Sequence, residues 1–167
     1  FLVSSHREEN VDNKENLEKI LTILNQLGET YDLPVIVSTH PRTKKRIEQL
    51  NNSTSQQLNN STTKHIQFLK PFGFLDYVNL QMNAKCTLSD SGTISEESAI
   101  LNFPAISLRQ SMERPEAQDT GSIILTGFEP DIVLNAINSV IKEFETNRNY
   151  FHIPEDYQID NTSWRVL

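Results

Sequence analysis

A chain of 167 residues is long enough for one hydrophobic core and one domain. Its net charge of −7 and pI near 5.1 argue against a nucleic-acid partner, whose phosphates need clustered Lys and Arg. No apolar run approaches the roughly 20 residues that cross a bilayer, so no membrane partner is expected. Cys86 is the single cysteine, which excludes an internal disulfide; it reads as a buried strand residue rather than a nucleophile, and a reducing cytoplasm is the expected setting.

Phe1 to Ser5 reads as a short buried strand that turns polar at His6-Arg7-Glu8-Glu9-Asn10, taken as a loop. The strand has neither an initiator methionine nor a charged leader before it, so the chain is expected to be cut from something longer. Asp12 and Glu15 have capping-box spacing, and Leu17, Ile20, Leu21, Leu24 and Leu27 follow at helical intervals, which predicts a helix to about Tyr31. Pro34 to Thr39 is a β-branched run of the kind found in a parallel strand covered on both faces. Lys44 to Leu50 forms a short helix, and Asn51 to Thr63, nearly all Asn, Ser, Thr and Gln, a loop whose N-x-S/T triplets read as loop composition rather than glycosylation sites.

Ile66 to Leu69 is a third strand, Phe74 to Ala84 a helix, Ala84 to Leu88 a fourth strand and Pro104 to Leu108 a fifth. Loop and short helix cover Arg109 to Thr120, and Ile123-Ile124-Leu125 reads as a sixth strand. Pro130 suits a first helical turn, after which Val133, Ile137, Val140, Ile141 and Phe144 line a closing helix. Strands alternate with helices, with no internal repeat and no second core. That pattern predicts an α/β fold, a doubly wound parallel sheet with right-handed crossovers and helices on both faces.

In such sheets ligands bind beyond the carboxyl ends of the strands. Ser5-His6-Arg7, Thr39-His40-Pro41-Arg42, Asp90-Ser91-Gly92 and Arg109 to Arg114 fall there, and two histidines with several arginines on one rim describe an anion site. Ser91 and Gly92 let a phosphate approach the backbone, and Gly92 can take dihedrals closed to other residues. Thr93 and Glu96 have capping-box spacing. Glu97 has two readings, a solvated helix face favoured by the helix dipole or an acceptor for vicinal hydroxyls. His6 with Arg7 offers one tunable donor and one permanent cation, which suits a phosphate, although a strand-end histidine also commonly just bonds to neighbouring backbone. His40 reads first as structural, and Arg114, within Glu113-Arg114-Pro115-Glu116, also fits a surface ion pair. No phosphate-binding glycine loop of the Walker type, CxxC pair or HExxH motif occurs.

Taken together, Ser5-His6-Arg7-Glu8-Glu9-Asn10, Thr39-His40-Pro41, Pro71 to Leu80, Ser89 to Glu97 and Glu113-Arg114-Pro115-Glu116-Ala117 resemble, in order and spacing, the non-hydrolysing bacterial UDP-N-acetylglucosamine 2-epimerases. The resemblance covers nearly the whole chain. It implies a Rossmann-like, UDP-binding C-terminal domain over residues 1–167, one half of a GT-B-like enzyme whose N-terminal domain is absent. It further implies that Ser91, Gly92 and Thr93 belong to the segment that holds UDP, that Glu97 takes the ribose hydroxyls, and that Tyr77 lies by the uracil. Arg7 is expected among the UDP-binding residues, Arg114 and His6 line the diphosphate and sugar side, and His6 is counted as catalytic.

The implied chemistry inverts C2 of an amino sugar by elimination and re-addition of UDP. The implied partners are UDP, a UDP-N-acetyl-amino sugar, the missing domain and a second copy of the full-length chain; no metal and no cofactor are implied. Proton transfer is assigned to acids of the absent domain, so the isolated chain is expected to bind UDP weakly and epimerise nothing. Thr93, Ser95, Glu8 and Phe72 depart from the commoner family pattern, and the Asp90 to Glu97 segment resembles the branch that forms UDP-N-acetyl-L-fucosamine for capsule or O-antigen. Two other readings share the nucleotide site: the donor half of a GT-B glycosyltransferase, and a non-catalytic nucleotide-sugar-binding domain.

Overall fold

The computed structural model describes residues 1–53, 65–111, 123–147 and 153–166. The elements are β1 (Leu2–Ser4), α1 (Glu8–Val11), α2 (Lys14–Tyr31), β2 (Val35–Ser38), α3 (Pro41–Ser53), β3 (Ile66–Leu69), α4 (Phe74–Asn83), β4 (Thr87–Ser89), α5 (Ile94–Leu101), β5 (Ala105–Ser107), β6 (Ile124–Leu125) and α6 (Pro130–Thr146). A 3-10 turn (Glu155–Tyr157) and α7 (Thr162–Val166) follow. The six strands form one sheet in the order β3-β2-β1-β4-β5-β6, every pairing parallel. This is the expected doubly wound α/β sheet, and the strand order reverses between β1 and β4, where a crevice opens at the strand ends.

The register divides the sheet into two unlike faces. Leu2 pairs with Thr87 and Ser4 with Ser89, while Val3 pairs with Leu88, which in turn pairs with Ile106. Side chains alternate along a strand. Val3, Val35, Val37, Leu88 and Ile106 therefore share one face and form the main core with Leu17 to Leu27 of α2 and Val133 to Ile141 of α6. Thr87, Ser89 and Ser107 share the other face, which α4 and α5 cover, and all three are buried. A smaller cluster of Ile94, Phe103, Ala105 and Ile123 is the apolar portion of that side.

Several expectations shift. The loop expected at His6 to Asn10 contains the single-turn helix α1, with Asn10 and Val11 buried. The capping residue of α2 is Asn13, whose side chain accepts from the Asn16 N–H at 3.2 Å. Asp12 does not cap; it pairs with Arg42 and with Arg46, the latter at 2.9 Å, and these hydrogen bonds hold its carboxyl below the usual range. The α3 helix begins at Pro41 rather than Lys44, because the His40 Nδ1 accepts from the Arg42 N–H and proline fits a first turn. β3, at the sheet edge, leaves Gln67, Phe68 and Leu69 exposed instead of covered on both faces. Most of the Asn51 to Thr63 loop, and most of the stretch from Arg109 to Thr120, lie outside the described residues.

Candidate functional site

The site begins with a buried acid. Asp90 follows β4 directly, is 0% exposed, and its carboxylate accepts from four groups of the segment after β1. Those donors are the Ser5 hydroxyl at 2.9 Å, the His6 N–H at 3.0 Å, the Arg7 N–H at 3.0 Å and the Asn10 amide at 2.9 Å. A carboxylate without such donors would be costly to bury. With them, Asp90 ties the β1 and β4 loops together across the crevice. The His6 Nδ1 also sits 3.4 Å from Asp90 Oδ1, so Nε2 is the ring nitrogen left for a ligand on this half-exposed side chain.

The turn after Asp90 is held by hydroxyls. The Ser91 N–H donates to Ser89 Oγ at 3.1 Å, and the Thr93 N–H donates to Ser91 Oγ at 3.3 Å. Two amides expected to face a phosphate are thus engaged by side chains that can rotate away. Gly92 does not use the dihedrals closed to other residues that it could take; among the described glycines only Gly127, with φ +64°, has a positive φ. The capping box from Thr93 to Glu96 does not form either, because the Thr93 hydroxyl makes no cap bond and instead lies 2.5 Å from Glu97 Oε1.

Glu97 therefore departs from the solvated-face reading. Its other oxygen, Oε2, accepts from the Gln81 amide at 2.5 Å, so donors from α4 and from the α5 entry grip both ends of the carboxylate. Tyr77, one turn before Gln81 on α4, comes within hydrogen-bonding reach of the Ser4 and Ser89 hydroxyls. Burial raises its phenol above the usual value; the Glu97 and Asp90 carboxylates add to that, and the two hydroxyls oppose it.

Of the residues singled out in the sequence, His6, Arg7, Tyr77, Ser91, Gly92, Thr93 and Glu97 converge on this crevice. Arg114 lies outside the described residues. The expected arginine-rich rim is only partly borne out: Arg42 is bound to Glu8 and Asp12, Arg7 pairs with Glu9 at 2.8 Å, and Arg109 is buried. Asp90, Gln81 and Asn10 are site residues that sequence reasoning missed. Asp90 stood inside the motif without a role, although an acid ending a buried strand signals a paired carboxylate.

A parallel sheet whose strand order reverses between β1 and β4, with a small-residue turn and a clamped acid at that point, defines a Rossmann-like domain. The family model described as UDP-N-acetylglucosamine 2-epimerase matches residues 1–167, and the chain belongs to that family. It is 38% identical over 151 residues to a UDP-N-acetylglucosamine 2-epimerase of Methanocaldococcus jannaschii, covering 90% of this chain and 40% of the relative. A crystal structure of the M. jannaschii enzyme in complex with UDP-GlcNAc and UDP superposes with a TM-score of 0.77 at 37% identity, covering 91% of this chain and 41% of that one. The Rickettsia bellii enzyme gives 0.73 at 47% identity, covering 86% of this chain and 36% of that one. The chain thus spans about 40% of the length of the curated relatives it matches. Among the described residues no helix is long and apolar enough to cross a membrane.

Proposed function

We infer that this chain is the UDP-binding, C-terminal half of a UDP-N-acetyl-hexosamine 2-epimerase. The observation that carries the reading is the crevice itself, in which a carboxylate gripped at both oxygens stands beside a small-residue turn and an acid-braced histidine. The turn from Ser91 to Thr93 receives the diphosphate once its hydroxyls rotate off the Ser91 and Thr93 amides, with Arg7 and Arg114 adding charge. Glu97 accepts from the ribose hydroxyls, and Tyr77 lies by the base.

The family chemistry requires a site that stabilises departing UDP and a base for the C2 proton. This chain supplies the first. His6 stands where its Nε2 can meet the leaving diphosphate, with Asp90 setting the ring. The acids that move the C2 proton belong to the remaining length of the full enzyme, a second Rossmann-like domain facing this one in a GT-B arrangement, and the whole protein works as a homodimer in the cytoplasm. The Thr93 and Ser95 variant of the Asp90 to Glu97 segment suits a 6-deoxy amino sugar of capsule or O-antigen synthesis, since such a sugar lacks one hydroxyl.

Calorimetric titration of the chain with UDP, UDP-N-acetylglucosamine and ADP tests the reading. Uridine nucleotides are expected to bind and ADP to bind at least about tenfold more weakly, with no epimerisation by the chain alone. Equal affinity for ADP, or turnover by the isolated chain, overturns it.

A further inference from the structure

The layer beneath α4 and α5 holds a side chain that packing does not explain. Gln81 is 1% exposed, whereas Phe74, Leu75 and Met82 of the same helix are 81, 80 and 53% exposed. A surface helix ordinarily turns its apolar groups inward. Here the fully buried position is an amide, beside the half-buried Tyr77, Val78 and Leu80. The Gln81 Nε2 donates to Glu97 Oε2, and Oε1 is buried without a hydrogen-bond partner among the described residues. A carboxylate only accepts, so the amide must turn its NH2 towards Glu97 and strand its oxygen. An unpaired buried acceptor destabilises a fold, and leucine or methionine would fill the space without one. What the amide contributes is the orientation of Glu97.

Each carboxylate oxygen offers two lone-pair directions. The Thr93 hydroxyl, which can donate to Oε1, occupies one there, and Gln81 occupies one on Oε2. One direction on each oxygen remains open to a donor, which is the number that the paired hydroxyls of a ribose require. Without both donors the terminal torsion of a glutamate is broad, and the match is lost.

We propose that Gln81 is a positioning residue that, together with Thr93, sets the Glu97 carboxylate to select ribonucleoside over 2′-deoxyribonucleoside diphosphates. The proposal rests on Glu97 being the pentose-binding acid. Gln81 touches no ligand; it acts through Glu97.

The test titrates the chain with UDP and 2′-deoxy-UDP by calorimetry, using wild type, Gln81→Met, Thr93→Val and Glu97→Ala, with a thermal melt of each. Wild type is expected to favour UDP by about tenfold, the worth of one charge-assisted hydrogen bond. Gln81→Met is expected to bring the ratio to within about twofold, with UDP losing more affinity than 2′-deoxy-UDP and the melting temperature equal or higher. A packing role gives a lower melting temperature with equal losses for both nucleotides; that result, or an unchanged ratio, overturns the proposal. Should Gln81→Met fail to fold, Thr93→Val, at an exposed position, must lower the ratio in the same way, and an unchanged ratio there overturns it too. If Glu97→Ala keeps the wild-type ratio, or wild type shows no preference, the pentose reading itself is wrong. If Glu97→Ala abolishes the ratio and Gln81→Met does not, the pentose reading stands and the positioning role falls.

Discussion

On one face of the sheet Val3, Leu88 and Ile106 meet the aliphatic stripes of α2 and α6; on the other, one residue along each strand, Ser4, Ser89 and Ser107 lie on the side covered by α4 and α5. Both layers are buried, but different forces hold them. Burying a leucine or isoleucine contributes about 1.5–3 kcal/mol and sets no direction. A hydrogen bond contributes less on balance and fixes geometry. Every clamped group of the crevice, Glu97, Tyr77 and Asp90 among them, takes its partners from the polar side or from the loops that leave it. The apolar layer is expected to supply most of the stability that lets the polar layer keep unpaired atoms such as Thr87 Oγ1, Ser95 Oγ and Gln81 Oε1.

The sharpest way to break this division is a pair of truncations, Asp90→Ala and Leu27→Ala. Asp90→Ala leaves four donors of the β1 loop unpaired and is expected to cost about 3–5 kcal/mol in urea denaturation and to abolish measurable UDP binding. Leu27, fully buried in the apolar layer, is expected to cost about 3 kcal/mol on truncation through cavity formation, with UDP affinity unchanged. Loss of UDP affinity in Leu27→Ala at a temperature where the variant is folded would show that the two layers are not separable.

A smaller effect sharpens the account of the apolar layer. Cys86 lies in that core, and burial pushes its thiol up to about 12, the nearby N-terminal ammonium opposing. Unfolded, the thiol ionises near its ordinary value of 9.0. Below that pH both states hold the proton and stability does not depend on it. Between about pH 9 and 12 the unfolded chain releases a proton that the folded chain retains, so stability falls with rising pH, by up to about 1.4 kcal/mol per unit. Urea midpoints taken across that range should fall more steeply in wild type than in Cys86→Ala, and identical slopes would place the thiol nearer water.

The two layers were also unequally legible in the sequence. Leu17, Ile20, Leu21, Leu24 and Leu27, then Val133, Ile137, Val140 and Ile141, announce helices and core together, because apolar burial follows helical spacing. The six strands and their parallel order follow from the same alternation. On the polar side burial runs against residue type: Gln81, Ser95 and Ser98 are buried, while Phe74 and Leu75 are exposed. Periodicity reports transfer to an apolar medium, and it is silent where hydrogen bonds hold the layer. Glu97 and His6 were found through their motif; Asp90 and Gln81, which hold them, depend on contacts 80 and 16 residues away in sequence, as in Asn10 to Asp90 and Gln81 to Glu97.

The seating of α4 gives the smallest expected effect and the most direct test of that pattern. Leu75 is 80% exposed, so Leu75→Ser removes little buried area and is expected to change stability by no more than about 0.5 kcal/mol. A helix seated in the ordinary way would bury Leu75, and the same substitution would then cost several times as much, since it would place a hydroxyl in an apolar layer. Equal urea midpoints for wild type and Leu75→Ser therefore support a helix seated on its amide. A loss near that of Leu27→Ala would turn α4 over, carry Gln81 to the surface and remove the donor from Glu97.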